Sequence, residues 1–258
     1  MTVQRIERFV TIGDSTAEGV GDPGANGHRG FGDRLAEQIA AHQGSVLYAN
    51  LAVSGYVARE VRARQLEPAL ALRPDLVAIM AGMNDLLRAR FDAHAIAGDI
   101  GAMQRAFAAT GCAVLAFTLP DVAHRLVMPP LDRAWSRRMR TLNEQIRRVS
   151  EANGALLIDL AAYAVSIDPR LWNRDRLHGS PEGHARIAAA CAQAIGLPVD
   201  DWWQAPLPAL EPVGAVARLV ENVAWGRTYF MPWFVNRLRG GPGIAQRVAK
   251  QPTLRIVR

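Results

Sequence analysis

Five short runs of aliphatic and β-branched residues, at 9–13, 46–51, 76–81, 113–118 and 155–160, alternate with segments of helical length at 30–42, 58–67, 92–109 and 132–152. Parallel strands cannot be joined by tight turns, so each pair needs a crossover of a dozen or more residues, usually a helix. A fifth helix is predicted from Pro181, whose fixed φ and missing N–H suit a first helical turn, with Ser180 as its N-cap. Right-handed crossovers place helices on both sides of a sheet whose strand order reverses. The pattern therefore predicts a three-layer α/β/α arrangement around a five-stranded parallel sheet, with ligands at the carboxyl edge of the strands.

This domain is assigned to residues 1–196, and 197–258 reads as a C-terminal extension. Trp202, Trp203 and several prolines open it, a helix is predicted near 211–224, and the segment from Tyr229 to Leu238 mixes apolar residues with arginine. Charge is distributed unevenly. Residues 213–258 hold seven Arg and one Lys against a single acid, Glu221, whereas the preceding body is nearly neutral. The extension is expected to pack on the domain and to end in a mobile basic tail, since Gly240, Gly241, Pro242 and Gly243 interrupt it. Interleaved aromatic and basic residues would also suit a weak membrane-surface or partner contact.

Other classes are excluded more directly. The longest apolar stretch, Leu76 to Met83, is far short of the roughly 18 residues that a spanning helix needs. The first ten residues include Arg5, Glu7 and Arg8 rather than an apolar signal core, which predicts a cytoplasmic protein. Cys112 and Cys191 stand far apart without CxxC partners and read as small buried apolar residues. The histidines lack the paired spacing of a metal site, so no metal and no cofactor is expected. Basic residues confined to a tail without a recognised motif argue against nucleic acid.

The chemistry concentrates on four strand ends. Gly13-Asp14-Ser15 follows the first strand and offers a hydroxyl nucleophile, which needs an imidazole to take its proton and an acid to orient that imidazole. Asp175 and His178, three residues apart before the fifth helix, supply both. Donors for a developing oxyanion are offered by Gly55, after the second strand, and by Asn84 in Gly82-Met83-Asn84-Asp85, after the third. Taken singly, each of these residues is equally a turn or cap residue. His184 reads as structural, because no acid precedes it at the spacing that Asp175 has to His178. Asp14 and Asp85 read as acceptors that fix loops, and Glu18 as a residue of a glycine-rich entrance loop.

Together the four blocks resemble the GDSL or SGNH hydrolases, whose Ser, Gly, Asn and His occur in this chain order; the resemblance covers about residues 7–196. It implies a flavodoxin-like three-layer fold and a metal-independent serine esterase working through an acyl-enzyme. In that reading Ser15 is the nucleophile, His178 the general base and then acid, and Asp175 its orienting partner. The oxyanion hole would comprise the N–H groups of Ser15 and Gly55 and the side chain of Asn84. Many members have Pro directly after the histidine, whereas here Gly179 and Ser180 precede Pro181. The expected partner is a small-molecule ester with a short acyl or acetyl group, since no long apolar lid segment is present. A thioesterase or acyltransferase would use the same residues, and a binding role of the tail is a further alternative. Trp172 and Met128, in the loops 165–174 and 121–130, could line the acyl pocket or belong to the core.

Overall fold

A computed structural model describes residues 5–25, 27–123, 131–211, 214–232, 235 and 248–258. Strand β1 (Arg8–Gly13) is followed by α1 (Gly30–Gln43), β2 (Val46–Asn50), α2 (Ala58–Ala71), β3 (Leu76–Met80) and α3 (Ala93–Ala108). Then come β4 (Ala113–Phe117), α4 (Leu131–Ala152), β5 (Leu156–Ile158), α5 (Pro181–Ala194), α6 (Ala215–Trp225) and β6 (Gln251–Val257). The sheet order is β5-β4-β3-β1-β2-β6. β1 to β5 run parallel, with Phe9 of β1 opposite both Tyr48 of β2 and Leu76 of β3. The five predicted strands are thus in place in the flavodoxin-like order, with the chain reversing direction across the sheet at β1.

One correction concerns the number of strands: the sheet has six, not five. The sixth, β6, lies antiparallel to β2, with Val257 opposite Val46 and Gln251 opposite Asn50. It is formed by the last residues of the chain, expected as a mobile tail. Its attachment is polar as well as laddered. Lys250 Nζ donates to the carbonyls of His28 and Arg29 at 2.8 and 2.7 Å and meets Asp33 Oδ2 at 2.6 Å, while Gln251 Nε2 donates to Tyr48 O at 2.7 Å. The stretch 236–247, with the glycines of the expected tail, lies outside the described residues.

Alternation along the strands makes two cores. Phe9, Tyr48 and Leu115 face Phe31, Leu35 and Ile39 of α1 and Ala188 and Ala192 of α5. Val10, Ile12, Val77 and Ile79 face Val61 of α2, Ile96, Met103 and Phe107 of α3, and Leu142 and Ile146 of α4. Both sheet faces are covered, as a parallel sheet requires. Helix α2 runs past Pro68, beyond its predicted end at 67. Pro68 and Arg64, whose carbonyl the missing N–H releases, are both exposed, so water can satisfy that carbonyl. Cys112 and Cys191 are buried free thiols, and burial pushes both up, Cys112 to about 12.

The start of the extension is tied down by Arg186 of α5. Its Nη1 donates to the carbonyls of Trp202, Trp203 and Ala205, and Trp203 is buried edge-on to Tyr163. Among the described residues no helix is long and apolar enough to cross a membrane.

Candidate active site

Gly13 closes β1 at φ +146°, and a Cβ there would lie 2.0 Å from Met80 O, so only glycine lets the strand end fit against β3. The buried Gln65 of α2 clamps it, accepting from Gly13 N–H at 2.7 Å and donating to Gly13 O at 2.9 Å. Asp14 then caps a single helical turn, Ser15–Glu18, by accepting from Thr16 N–H at 3.1 Å. Ser15 opens that turn at the carboxyl edge of the sheet. The turn is held by Asn50 at the end of β2, whose Nδ2 donates to Ala17 O at 2.9 Å while its Oδ1 accepts from Ala52 N–H at 3.0 Å. One buried side chain therefore sets both the Ser15 turn and the loop that carries Gly55.

That second loop is braced twice more. Val53 N–H donates to Gly13 O at 3.1 Å, and the Glu18 carboxylate accepts from Ser54 N–H at 2.7 Å and from Ser54 Oγ. Glu18 thus braces the site rather than only lining its entrance. Gly55 adopts φ +88°. After β3, Gly82 at φ +117° starts the one-turn helix Met83–Leu86. Asn84 Nδ2 donates to Tyr56 O at 3.0 Å, and the Asp85 carboxylate accepts from Ala58 N–H at 3.0 Å. An amide nitrogen carries two hydrogens, and the Tyr56 carbonyl takes one. Among the described residues, the N–H groups of Ser15 and Gly55 have no acceptor.

The fourth block is a tight turn. Asn173 N–H donates to His178 O at 2.7 Å, and Arg176, at φ +64°, donates its N–H to Asn173 O at 2.8 Å. Asp175 Oδ1 accepts from the N–H groups of Leu177 and His178, both at 3.0 Å, and its Oδ2 lies 2.6 Å from His178 Nδ1. Burial works to raise the Asp175 carboxyl, but the imidazole beside it and the two N–H donors outweigh burial and hold it below the ordinary range. Ser180 caps α5 by accepting from Gly183 N–H at 3.2 Å.

Three contacts bring this turn to the Ser15 loop. A Cβ on Gly21, at φ +100°, would lie 2.1 Å from Gly179 O and 3.3 Å from His178 Cβ. His184 Nε2 is 3.2 Å from Val20 O. Thr16 and Gly179 share the wall of an apolar cavity of about 60 Å³, with Met80, Met83, Leu119 and Trp172. Ser15 and His178 make no direct hydrogen bond among the described contacts. Catalytic hydrogen bonds are often long before substrate binds.

The electrostatics divide these groups. Complete burial pushes the Asp14 carboxyl up to about 7, against the Thr16 N–H and the neighbouring His178. Burial raises Asp85 to about 6, opposed by the Ala58 N–H. Both carboxylates fix loops, as their hydrogen bonds require. His184 is buried against Phe31 and pushed down to about 4, so it is a neutral packing residue that supports Val20. Trp172 lines the cavity and donates its indole N–H to Ser166 O at 2.9 Å; Met128 lies outside the described residues. No group of three or more potential metal-binding side chains occurs among the described residues. Gln65 and Asn50 were not singled out from the sequence, whereas Gly21 belongs to the glycine-rich entrance loop that the sequence marked. Trp225 is a further addition: its indole N–H donates to Asp175 O at 3.0 Å from 50 residues away.

The profile of the GDSL-like lipase/acylhydrolase family matches residues 11–186. An acetylxylan esterase from Geobacillus stearothermophilus is 26% identical over 209 residues, covering 74% of this chain and 94% of that protein. The crystal structure of an acetylxylan esterase from Geobacillus stearothermophilus is similar with a TM-score of 0.61 at 20% identity, over 78% of this chain and all of that one. An α/β hydrolase enzyme from the metagenome of Lake Arreo, Spain, gives a TM-score of 0.60 at 24% identity, over 74% of this chain and 95% of that one. A psychrotrophic esterase from Pseudoalteromonas sp. gives 0.58 at 18%, over 73% and 96%. At these identities the structural likeness speaks for the fold, a mostly parallel sheet between helices.

Proposed function

Since the chain belongs to the GDSL-like lipase/acylhydrolase family and is a carboxylic ester hydrolase, we propose that it cleaves short-chain esters, acetyl esters foremost, through an acyl-enzyme on Ser15. The observation that carries this reading is the 2.6 Å contact of Asp175 Oδ2 with His178 Nδ1, on a turn packed against the loop of Ser15. It fixes the tautomer with the proton on Nδ1 and leaves Nε2 as the base. His178 Nε2 takes the Ser15 proton as Oγ bonds to the acyl carbon. The oxyanion is held by the N–H groups of Ser15 and Gly55 and the second amide hydrogen of Asn84. Collapse breaks the bond to the alcohol, which leaves with the proton from His178. Water then attacks the acyl-serine, His178 takes its proton, and the acid departs as Ser15 is reprotonated.

The acyl group is assigned to the cavity beside Thr16 and Met83. At about 60 Å³ the cavity is small, which suits an acetyl or similarly short chain. Similarity to an acetylxylan esterase supports the same class. The test is hydrolysis of p-nitrophenyl esters from acetate to octanoate by the wild type and by Ser15→Ala. Turnover greatest on acetate and absent in the variant is expected; equal turnover by both proteins rejects the Ser15 mechanism.

A second role is favoured by the outer side of α6. Val216, Leu219, Val220 and Val223 form an exposed apolar stripe at helical spacing, in a segment with eight basic residues and one acid. The segment 213–258 is net basic in sequence, which suits an anionic lipid surface as what covers the stripe. Sedimentation with phosphatidylglycerol vesicles, weakened by salt and by Leu219→Glu, is the expected result. Equal sedimentation with neutral vesicles, or none, rejects the electrostatic contact.

A further inference from the structure

Arg176 stands at the apex of the Asp175–His178 turn with φ +64°, a conformation that a residue with a side chain adopts at a cost and keeps when its surroundings impose it. Helix α6 makes that imposition. Trp225 Nε1–H donates to the carbonyl of Asp175 at 3.0 Å. The guanidinium of Arg176 lies 4.8 Å above the same indole ring, and its Nη1 donates to Asn222 Oδ1 at 2.8 Å. Asn222 and Trp225 are three residues apart and so share one helix face. Both sides of the peptide that joins Asp175 to Arg176 are therefore gripped by α6, a helix outside the residues 11–186 that match the family.

We propose that α6 is a strap that positions the acid of this esterase: Trp225, with Asn222 acting through Arg176, fixes the backbone from which Asp175 reaches His178. The proposal rests on the catalytic reading of Asp175 given above. Asp175 presents one carboxylate oxygen to two N–H groups of its own turn and the other to the imidazole, so a small rotation of its backbone weakens both sets of bonds at once. Trp225 and Arg176 touch no reacting atom in this scheme and are positioning residues. The extension thereby becomes a part of the active site that the family match does not contain.

The test uses the full chain and p-nitrophenyl acetate. Trp225→Phe keeps an aromatic ring under Arg176 but removes the N–H, and it is expected to lower kcat about tenfold with KM within about twofold, the scale of one lost hydrogen bond. The acid limb of its kcat–pH profile should move to lower pH, because an imidazolium with a loosened carboxylate partner is less stabilised. In an Asp175→Asn background the same change should cost little more, since the strap then has no charged acid to place. Ala217→Ser, on the exposed side of α6 and outside the apolar stripe, should leave kcat unchanged. An unaltered kcat and profile in Trp225→Phe, with Asp175→Asn strongly impaired, overturns the strap while leaving the catalytic assignment intact. Activity retained in Asp175→Asn overturns the catalytic assignment and the strap with it. An equal loss in Ala217→Ser also overturns the strap, by showing that helix stability alone is measured.

Discussion

Gly21 and Gly179 meet backbone to backbone: a Cβ on the first would sit 2.1 Å from the carbonyl oxygen of the second, at a φ of +100° that L side chains rarely adopt. This contact joins the loop after Ser15 to the residue after His178. Gly21→Ala must push the two apart, and misplacement by about 1 Å can cost on the order of a hundredfold in rate. A fall in kcat of at least tenfold on p-nitrophenyl acetate, with a folded circular-dichroism spectrum, is expected. Wild-type kcat would show that the separation between these loops is not critical.

Asn84 is held through Tyr56 O, and its remaining amide hydrogen is assigned to the oxyanion. Removing one such donor typically costs on the order of a hundredfold in kcat. Asn84→Ala should therefore lose about that factor in kcat while KM changes little, because the donor acts on charge that develops only in the transition state. Steady-state kinetics decide the point: a loss confined to KM would make Asn84 a ground-state binding group instead.

The parts of this fold that were legible in the sequence are those encoded locally. Five buried strands announce themselves as apolar runs, and Ser180-Pro181 marks the start of α5 because capping and a fixed φ are properties of neighbouring residues. Ser15, Gly55, Asn84, Asp175 and His178 were legible as residues that follow strands; Ser15 opens a one-turn helix, Asn84 lies in another, and Gly55, Asp175 and His178 lie on loops, all beyond the carboxyl ends of parallel strands. β6 was not legible. Gln251, Thr253 and Arg255 do alternate with Pro252, Leu254 and Ile256, a strand pattern, but the run is short, carries a proline and has no fully buried face, so it reads equally as a basic tail. What holds it, the ladder to β2 and the three contacts of Lys250, spans more than 200 residues. The grip of Trp225 on Asp175 escapes a local reading for the same reason.

Lys250 gives a stability prediction separate from catalysis. Its ammonium is largely covered and meets two carbonyls and Asp33 Oδ2, so truncation leaves these acceptors without their donor. Lys250→Ala should destabilise the protein by about 1–3 kcal/mol, read as a lower urea midpoint. Its kcat should be unchanged, because none of its three acceptors, His28 O, Arg29 O and Asp33 Oδ2, bonds to Ser15, Gly55, Asn84, Asp175 or His178. An unchanged midpoint would mean that the β2 ladder alone anchors the C-terminal strand.

The buried titrating groups give the pH dependence of stability a definite sign. Burial holds the Asp14 carboxyl at about 7 and the Asp85 carboxyl at about 6, against 3.8 for an ordinary Asp. Between about pH 4 and 6 the folded protein therefore keeps protons that the unfolded chain has lost, and stability falls as pH rises. His184 acts oppositely. Burial pushes it from 6.5 to about 4, so in that window the unfolded chain binds a proton that the folded protein refuses, and stability rises with pH. Burial also raises the Asp33 carboxyl, so three carboxyls outweigh one imidazole and the urea midpoint of the wild type should fall between pH 4.5 and 6. Asp14→Asn keeps an acceptor for Thr16 N–H but removes one of the raised carboxyls, so its midpoint should fall less steeply over the same range. A slope identical to that of the wild type would show that Asp14 does not retain its proton in the folded state.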